Sequence, residues 1–330
     1  MGGMILNINK RIDKLRELMK EQGIAAYIIP TSDPHQSEYV AEHFRARTWI
    51  SGFTGSAGTV VITGDKALLW TDGRYFIQAE KELSDTQYEL MKMGRPGIPN
   101  YMNWLRENLN HGQTIAFDGR VFNVSTVEKL EKLLQDKNIK LETKYDLIDK
   151  IWTNRPELPK SEAFIHKLGY TGLSGREKLS EVRQNMKNNN ADYYLIGSLD
   201  DIAWLYNIRG RDIKYNPVLI SYAIVTRDRA YLFVDKSKIN KDVEEFLRVN
   251  NIEIREYDEV LDFVKNINSG STILLDKNKI NKWLFNEIPK KCNIINQMDV
   301  STSLKAIKNE KEIKNQKNAY IKDGVALVKF

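Results

Sequence analysis

"GTVVITGDKALLWTD", residues 58–72, sets two apolar runs around Gly64-Asp65 and reads as a β-hairpin. "YAIVTRDRAYLFVD" (222–235) has the same pattern, with its turn near Arg227-Asp228 and the same closing Asp. The elements around the two hairpins also recur. A helix with Ile12, Leu15, Leu18 and Met19 on one face, stopped by Gly23, leads into a buried strand "IAAYIIP" (24–30). A second helix at about 174–188 leads into "ADYYLIG" (191–197). "TIAFDGRVFN" (114–123) is echoed by "TILLDKNKIN" (272–281). The last pair is offset by 158 residues and the others by about 163 to 166. A period this long predicts two copies of one α/β domain rather than a solenoid. Hairpins inside an α/β pattern predict a mixed sheet in each copy.

The first copy should continue with helices at about 74–83, 99–109 and 124–135, and with short strands at about 87–91, 114–118 and 139–143. The Pro-bearing "TNRPELPKSE" (153–162) marks the boundary. The expected division is 4–158, 159–300 and a final segment 301–330. That segment carries the amphipathic pattern "NEKEIKNQKNAYIKDGVALVKF" (309–330), in which Ile313, Tyr320, Ile321, Leu327 and Val328 are expected to form a buried face. It reaches Phe330 without cap or breaker, so a helix cut midway and followed by a third domain is expected.

Composition narrows the classes. The 330 residues are 42% apolar and 28% charged, as in globular domains, and no apolar run approaches the ~20 residues of a membrane span. "MGGMILNINKRIDKL" contains no signal-peptide core. Cys292 is the single cysteine, which excludes intramolecular disulfides and cysteine zinc sites and predicts a cytoplasmic protein. The net charge of +6 does not predict nucleic-acid binding, because the lysines are scattered among acids and no nucleic-acid fingerprint is present.

"TSDPHQSEYVAEH" (31–43) concentrates His35 and His43 with Asp33, Glu38 and Glu42. A metal site is one reading. Pro34 and the absence of a His-Glu-x-x-His spacing favour the other, a polar loop in which Asp33 caps a turn and His35 satisfies backbone groups. "SGFTGSAGT" (51–59) lacks the Lys-Ser/Thr ending of a phosphate loop and precedes a strand, so its glycines are read as allowing close backbone approach. In "TDGRYF" (71–76), Asp72 suits a helix cap, and Arg74 at an element end suits either structure or the binding of a carboxylate. In "DDIAWLYNIRGRDIKYNP" (200–217), Trp204 and Tyr206 read as core, and Arg209, Arg211 and Asp212 as an ordered loop. No nucleophile elbow or Ser-His-Asp arrangement is present.

Taken together and in order, "IIPTSDPHQSEYVAEHFRARTWISGFTGSAGTVVIT", "LLWTDGRYFIQAEKEL", "DKIWTNRPELP", "LDDIAWLYNIRGRDIKYNPVLISYAIV" and "AIKNEKEIKNQKNAYIKDGVAL" resemble the N-terminal portion of the Xaa-Pro aminopeptidase family, in its long three-domain form. The resemblance implies two tandem domains of the creatinase/prolidase N-terminal type, followed by a catalytic domain of pita-bread fold. It places two divalent metal ions, expected to be manganese, in that third domain, with no catalytic residue and no metal ligand within residues 1–330. This chain alone is then expected to be inactive and to restrict substrate access. Arg74 is the residue the resemblance puts against bound peptide, with His35 and Glu38 as weaker candidates for the same rim. The implied partners are a peptide with proline second and a second copy of the chain. The alternatives are a stand-alone binding or assembly module, a small-molecule enzyme of the creatinase type, which has a single N-terminal domain, and a nucleotide-binding protein.

Overall fold

The computed structural model describes residues 2–144 and 146–330. Its contacts divide the chain into two units. One runs to Leu158 and takes in Asn281–Asn286; the other comprises Pro159–Ile280 and Glu287–Phe330.

The first unit contains helices α1 (Gly2–Glu21), α2 (Ala46–Ser51), α3 (Phe76–Glu82), α4 (Tyr101–Asn108), α5 (Val124–Leu134) and α6 (Leu147–Ile151). Its strands are β1 (Ala26–Pro30), β2 (Thr59–Thr63), β3 (Ala67–Thr71), β4 (Tyr88–Lys92), β5 (Thr114–Ala116) and β6 (Lys140–Glu142). They form one sheet in the order β4-β3-β2-β1-β5-β6. β2 is antiparallel to both neighbours and the other pairings are parallel, so the sheet is mixed. α1 buries Ile8, Ile12, Leu15 and Met19, one residue per turn on a single face, and ends before Gly23 at φ 65°. These side chains join Tyr27, Ile29, Val60, Ile62 and Leu69 on one side of the sheet. Ile28, Val61, Leu68 and Trp70 point the other way, onto α4 and α5, as the two-residue period of a strand requires. Each such large side chain contributes ~1.5–3 kcal/mol when fully buried.

The second unit repeats this plan. Its strands are β7 (Phe164–Ile165), β8 (Tyr193–Ile196), β9 (Ile208–Arg209), β10 (Ser221–Thr226), β11 (Ala230–Val234), β12 (Ile252–Arg255), β13 (Thr272–Leu275) and β14 (Asn293–Asn296). The main sheet runs β12-β11-β10-β8-β13-β14, with β10 antiparallel among parallel neighbours, which is the order of the first sheet. β7 and β9 form a separate antiparallel pair. Helices α7 (Leu168–Thr171), α8 (Gly175–Asn188), α9 (Leu199–Tyr206), α10 (Lys241–Val249), α11 (Glu259–Lys265), α13 (Val300–Ala306) and α14 (Glu310–Lys329) complete it, whereas α12 (Lys282–Phe285) lies within the first unit.

The two hairpins share their turn chemistry. Thr63 donates its hydroxyl to Asp65 at 2.8 Å and accepts the Lys66 N–H at 3.0 Å. Thr226 does the same with Asp228 and Arg229, both at 2.9 Å. The repeat is therefore one of side-chain hydrogen bonds as well as hydrophobic pattern.

The last helix differs from its expected packing. Asn309 caps α14 through a reciprocal box with Glu312, and its Nδ2 donates to Thr171 O at 2.8 Å. Beyond this base, Ile313, Tyr320, Ile321, Leu327 and Val328 are exposed rather than buried. The pattern forms a stripe, but nothing among the described residues covers it.

Candidate functional site

In the first unit, β1, β3, β4, β5 and β6 run in one direction and end at one edge of the sheet, where β2 begins. The segments 31–37, 52–58, 72–75 and 118–121 therefore gather at that edge. Thr31 N–H donates to Gly58 O at 2.9 Å, Thr71 Oγ1 to Ala57 O at 2.7 Å, and the hydroxyls of Ser56 and Tyr75 lie 2.6 Å apart. A Cβ on Gly55 would stand 2.3 Å from the Phe53 ring and 2.9 Å from that of Tyr75; one on Gly58 would stand 3.0 Å from Trp70 O. The glycines permit close backbone approach.

Arg47 of α2 organises this loop. It is buried, donates Nε to Thr31 Oγ1 at 2.9 Å, and donates its other nitrogens to the carbonyls of Phe53 and Gly55. Burial lowers its pKa to about 10, so it stays charged at neutral pH. The sequence carried no signal for this role, because an isolated Arg in a polar stretch looks like a surface residue.

The histidine-bearing stretch is a loop whose polar groups serve different partners. Asp33 Oδ1 accepts the N–H groups of His35 at 2.9 Å and Ser37 at 3.0 Å. Asp33 and His35 are buried, whereas Glu38 is exposed. His43 donates Nδ1–H to Pro156 O at 2.7 Å and accepts from Arg155 Nε through its carbonyl at 2.9 Å. Burial lowers the His43 pKa. Among the described residues no group of three or more His, Cys, Asp or Glu is arranged to hold a metal ion, so the residues of this stretch do not fit one.

Arg74 lies in a short 3-10 turn, Gly73–Tyr75, capped by Asp72. Asp72 Oδ1 accepts the Arg74 backbone N–H at 3.0 Å and its Nε at 2.9 Å, and Oδ2 accepts Nη2 at 2.8 Å. The hydrogen bond from Arg74 holds the Asp72 carboxyl below its usual range. The guanidinium lies 5.1 Å from the Tyr75 ring centroid, and the side chain remains 68% exposed. Arg74, Glu38 and buried His35 thus belong to the same loop-bearing unit but have different environments.

The corresponding edge of the second unit holds a buried carboxylate cluster that sequence reading did not single out. Tyr194 of β8, Asp201 of α9 and Asp299, at the head of α13, meet there. Thr302 Oγ1 donates to Asp201 Oδ2 at 2.7 Å, and Lys305 lies 2.8 Å from Asp201 Oδ1. Burial, and then the Asp201 charge, push the Asp299 pKa up to about 8. In the "DDIAWLYNIRGRDIKYNP" segment, Tyr206 is core and donates to Tyr231 O at 3.0 Å. Trp204 is half-buried and donates to Glu312 at 3.2 Å. Asp212 forms a buried ion pair with Lys238 at 2.8 Å, and Arg211 is exposed.

Comparison with known proteins finds the same kind of domain twice along the chain. The creatinase/prolidase N-terminal domain profile matches residues 11–151, and a second profile of that description matches 154–312. Xaa-Pro aminopeptidase 1 of Dictyostelium discoideum is 40% identical over 98% of this chain and 52% of its own length. Aminopeptidase P2 of Arabidopsis thaliana is 36% identical over 98% of this chain and 50% of its own. The crystal structure of X-prolyl aminopeptidase from Caenorhabditis elegans, described as a cytosolic enzyme with a di-nuclear active site, superposes with a TM-score of 0.92 at 30% identity. It covers 98% of this chain and 55% of its own. The chain spans about half the length of the relatives it matches.

Proposed function

Because the chain belongs to the creatinase/prolidase N-terminal domain family, whose domain it carries twice in tandem, we propose that it is the non-catalytic front part of a metal-dependent Xaa-Pro aminopeptidase. The whole enzyme releases the N-terminal residue from peptides in which proline is second. The observation that carries this reading is the 40% identity to an Xaa-Pro aminopeptidase over 98% of this chain, against 52% of that relative. Two divalent metal ions, manganese by family resemblance, supply the hydrolytic chemistry from residues outside the described ones.

The work of this part is steric and electrostatic. The loop-bearing edge of the first unit walls the approach to the catalytic centre, so that the end of a flexible peptide enters and a folded chain does not. Arg74 contacts the peptide, with Glu38 and His35 as secondary candidates. The protein works in the cytoplasm, as the relative from Caenorhabditis elegans does. No helix among the described residues is long and apolar enough to cross a membrane. A second copy of the chain is the partner expected for assembly.

The test compares this 330-residue chain with the longer gene product, both with manganese, on a peptide with proline second. Cleavage by the longer protein alone supports the proposal. Chelator-sensitive cleavage by the short chain would overturn it. Failure of both to cleave, with intact folding, favours a stand-alone binding module.

A further inference from the structure

We propose that the first unit binds a small organic acid, a carboxylate with an apolar body, in a groove at the sheet edge opposite the loop-bearing one; this is independent of the peptidase reading. The groove has a volume of about 500 Å³, within the range of small-molecule sites. It lies between the end of α1, the β2–β3 turn, the end of α4 and the residues before β5. Met19, Ile24, Trp104 and Leu109 supply its apolar lining. Arg16, Lys20 and Lys66 stand around it against one carboxylate, Asp65, which the Thr63 hydroxyl holds at 2.8 Å.

The second unit shows what the groove lacks, and strand register fixes the equivalent residues. Ala26 pairs with Thr63 and Ile115, as Tyr193 pairs with Thr226 and Ile273. Ala25 therefore matches Asp192, and Gly64 matches Arg227. The frame around them is kept. Arg16 donates Nε to Thr63 O at 2.9 Å, and Arg183 donates Nε to Thr226 O at 3.1 Å. The N–H groups of Ala25 and Asp192 donate to Thr114 O and Thr272 O, each at 2.8 Å. Lys20 and Lys66 have Lys187 and Arg229 in their places.

In the second unit the Asp192 carboxylate accepts the Thr272 N–H on Oδ2 at 2.9 Å, and Arg227 Nη2 lies 2.8 Å from Oδ1. This ion pair joins the start of β8 to the hairpin turn. The cleft of about 380 Å³ beside α11 is lined by neither α8 nor that turn, and it carries Glu259 and Asp262. In the first unit Ala25 has only a methyl and Gly64 has no side chain, so the ion pair cannot form, and both residues line the open groove. One copy carries its own carboxylate; the other keeps the cations and lacks the acid.

Charge and shape then choose the ligand. Arg16 is engaged by Thr63 O and by Gln87, and Lys66 lies 4.0 Å from Glu89. Lys20 has no ion pair among the described residues, so an anion is the group that completes the site. The carboxylate in the equivalent place of the second copy names the head group. The lining of Trp104 and its neighbours suits a hydrocarbon or aromatic body rather than a bare inorganic ion. The acid is either a free small molecule or the C-terminus of a peptide.

The experiment is isothermal titration calorimetry on the 330-residue chain. The probes are 4-phenylbutyrate and N-acetyl-Gly-Phe, each compared with its own amide. At least one acid should bind about tenfold more tightly than its amide, and the tighter acid identifies the source. High salt should weaken the acid and spare the amide. Lys20→Gln combined with Lys66→Gln, both at exposed positions, should remove most of the preference. Ala25→Asp combined with Gly64→Arg transplants the second unit's ion pair and should abolish binding; if that variant does not fold, the lysine variant decides. Equal affinity for acid and amide overturns the inference. Undiminished preference in the lysine variant overturns it too, as does the absence of binding of either acid at millimolar concentration. Each of these outcomes leaves the peptidase reading standing.

Discussion

The hydroxyl of Tyr194 donates to Oδ1 of Asp299 at 3.0 Å, while Oδ2 of that carboxyl is buried with no hydrogen-bond partner among the described residues. The first unit solves the matching problem differently. There the Tyr27 hydroxyl accepts the Leu147 N–H at 3.1 Å, and the nearby Asp118 and Asp146 are balanced by Arg120 and Arg155. One copy pairs its carboxylates with arginines; in the other, burial and the Asp201 charge push the pKa of the Asp299 carboxyl up to about 8.

Asp299→Asn should therefore stabilise the protein at neutral pH. With a folded pKa of about 8 against ~3.9 unfolded, the native state holds the extra proton between those values. Stability is complete below pH ~4 and falls as pH rises toward 8, by at most about 1.4 kcal/mol per unit. Asn mimics the protonated carboxyl and removes the slope. Urea melts at pH 4.5 and 8 should show variant and parent converging at the lower pH; an equal offset at both would contradict this account.

Asp146→Asn should act in the opposite sense. Burial pushes the Asp146 carboxyl up, but the hydrogen bond and charge of Arg155 and the charge of Arg120 outweigh it and leave it below its usual range. Its contribution is present above the unfolded value of ~3.9 and is lost as pH falls through the folded one. Removing one partner of this part-buried network should cost about 3 kcal/mol near pH 7, and the gap between variant and parent should shrink below pH 4.

Arg47→Met should cost about 3 kcal/mol, since it leaves the carbonyls of Phe53 and Gly55 and the Thr31 hydroxyl without their donor. Arg47→Lys should recover only part of this, because one ammonium cannot reach three diverging acceptors. Denaturation midpoints followed by tryptophan fluorescence would measure both; a loss under 1 kcal/mol for Met would refute the organising role.

Gly172→Ala should loosen the base of α14. Gly172 sits at φ 70°, and a Cβ there would lie 2.5 Å from Asn309 Oδ1. The strain of ~1–2 kcal/mol is relieved by moving Asn309 off Thr171 O. Hydrogen exchange should speed up in the first turns of α14 and stay unchanged in α8, whereas uniform acceleration would indicate global destabilisation instead.

The hairpins were legible in the sequence because their signal is local: apolar alternation on either side of a polar turn, with a threonine and an aspartate two residues apart at Thr63 and Thr226. The two-copy plan followed from repeating that signal at a long offset. Arg47 was not legible, since its acceptors come from backbone carbonyls that its own loop brings to it. Nor was the environment of the α14 stripe, because periodicity tells which side chains share a face and not what meets them. The equivalence of Asp72-Gly73-Arg74 and Asp118-Gly119-Arg120 was written in the sequence, but the difference between them depends on Asp146, which only folding brings to Arg120.

The hexapeptide Asn281–Asn286 completes the first unit from far along the chain. Asn281 is buried, donates Nδ2 to Pro34 O at 2.9 Å and caps α12 through the Leu284 N–H, while Lys282 N–H reaches Phe122 O at 2.8 Å. A ribosome releases the rest of this unit about 120 residues earlier, so at ~5–20 residues per second the nascent domain waits roughly 6–25 s for its last piece. During that interval the Asn281 amide and the Lys282 N–H have not yet reached the carbonyls of Pro34 and Phe122. The order of synthesis therefore differs from the order of completion, and the first domain begun is not finished until the second is nearly made.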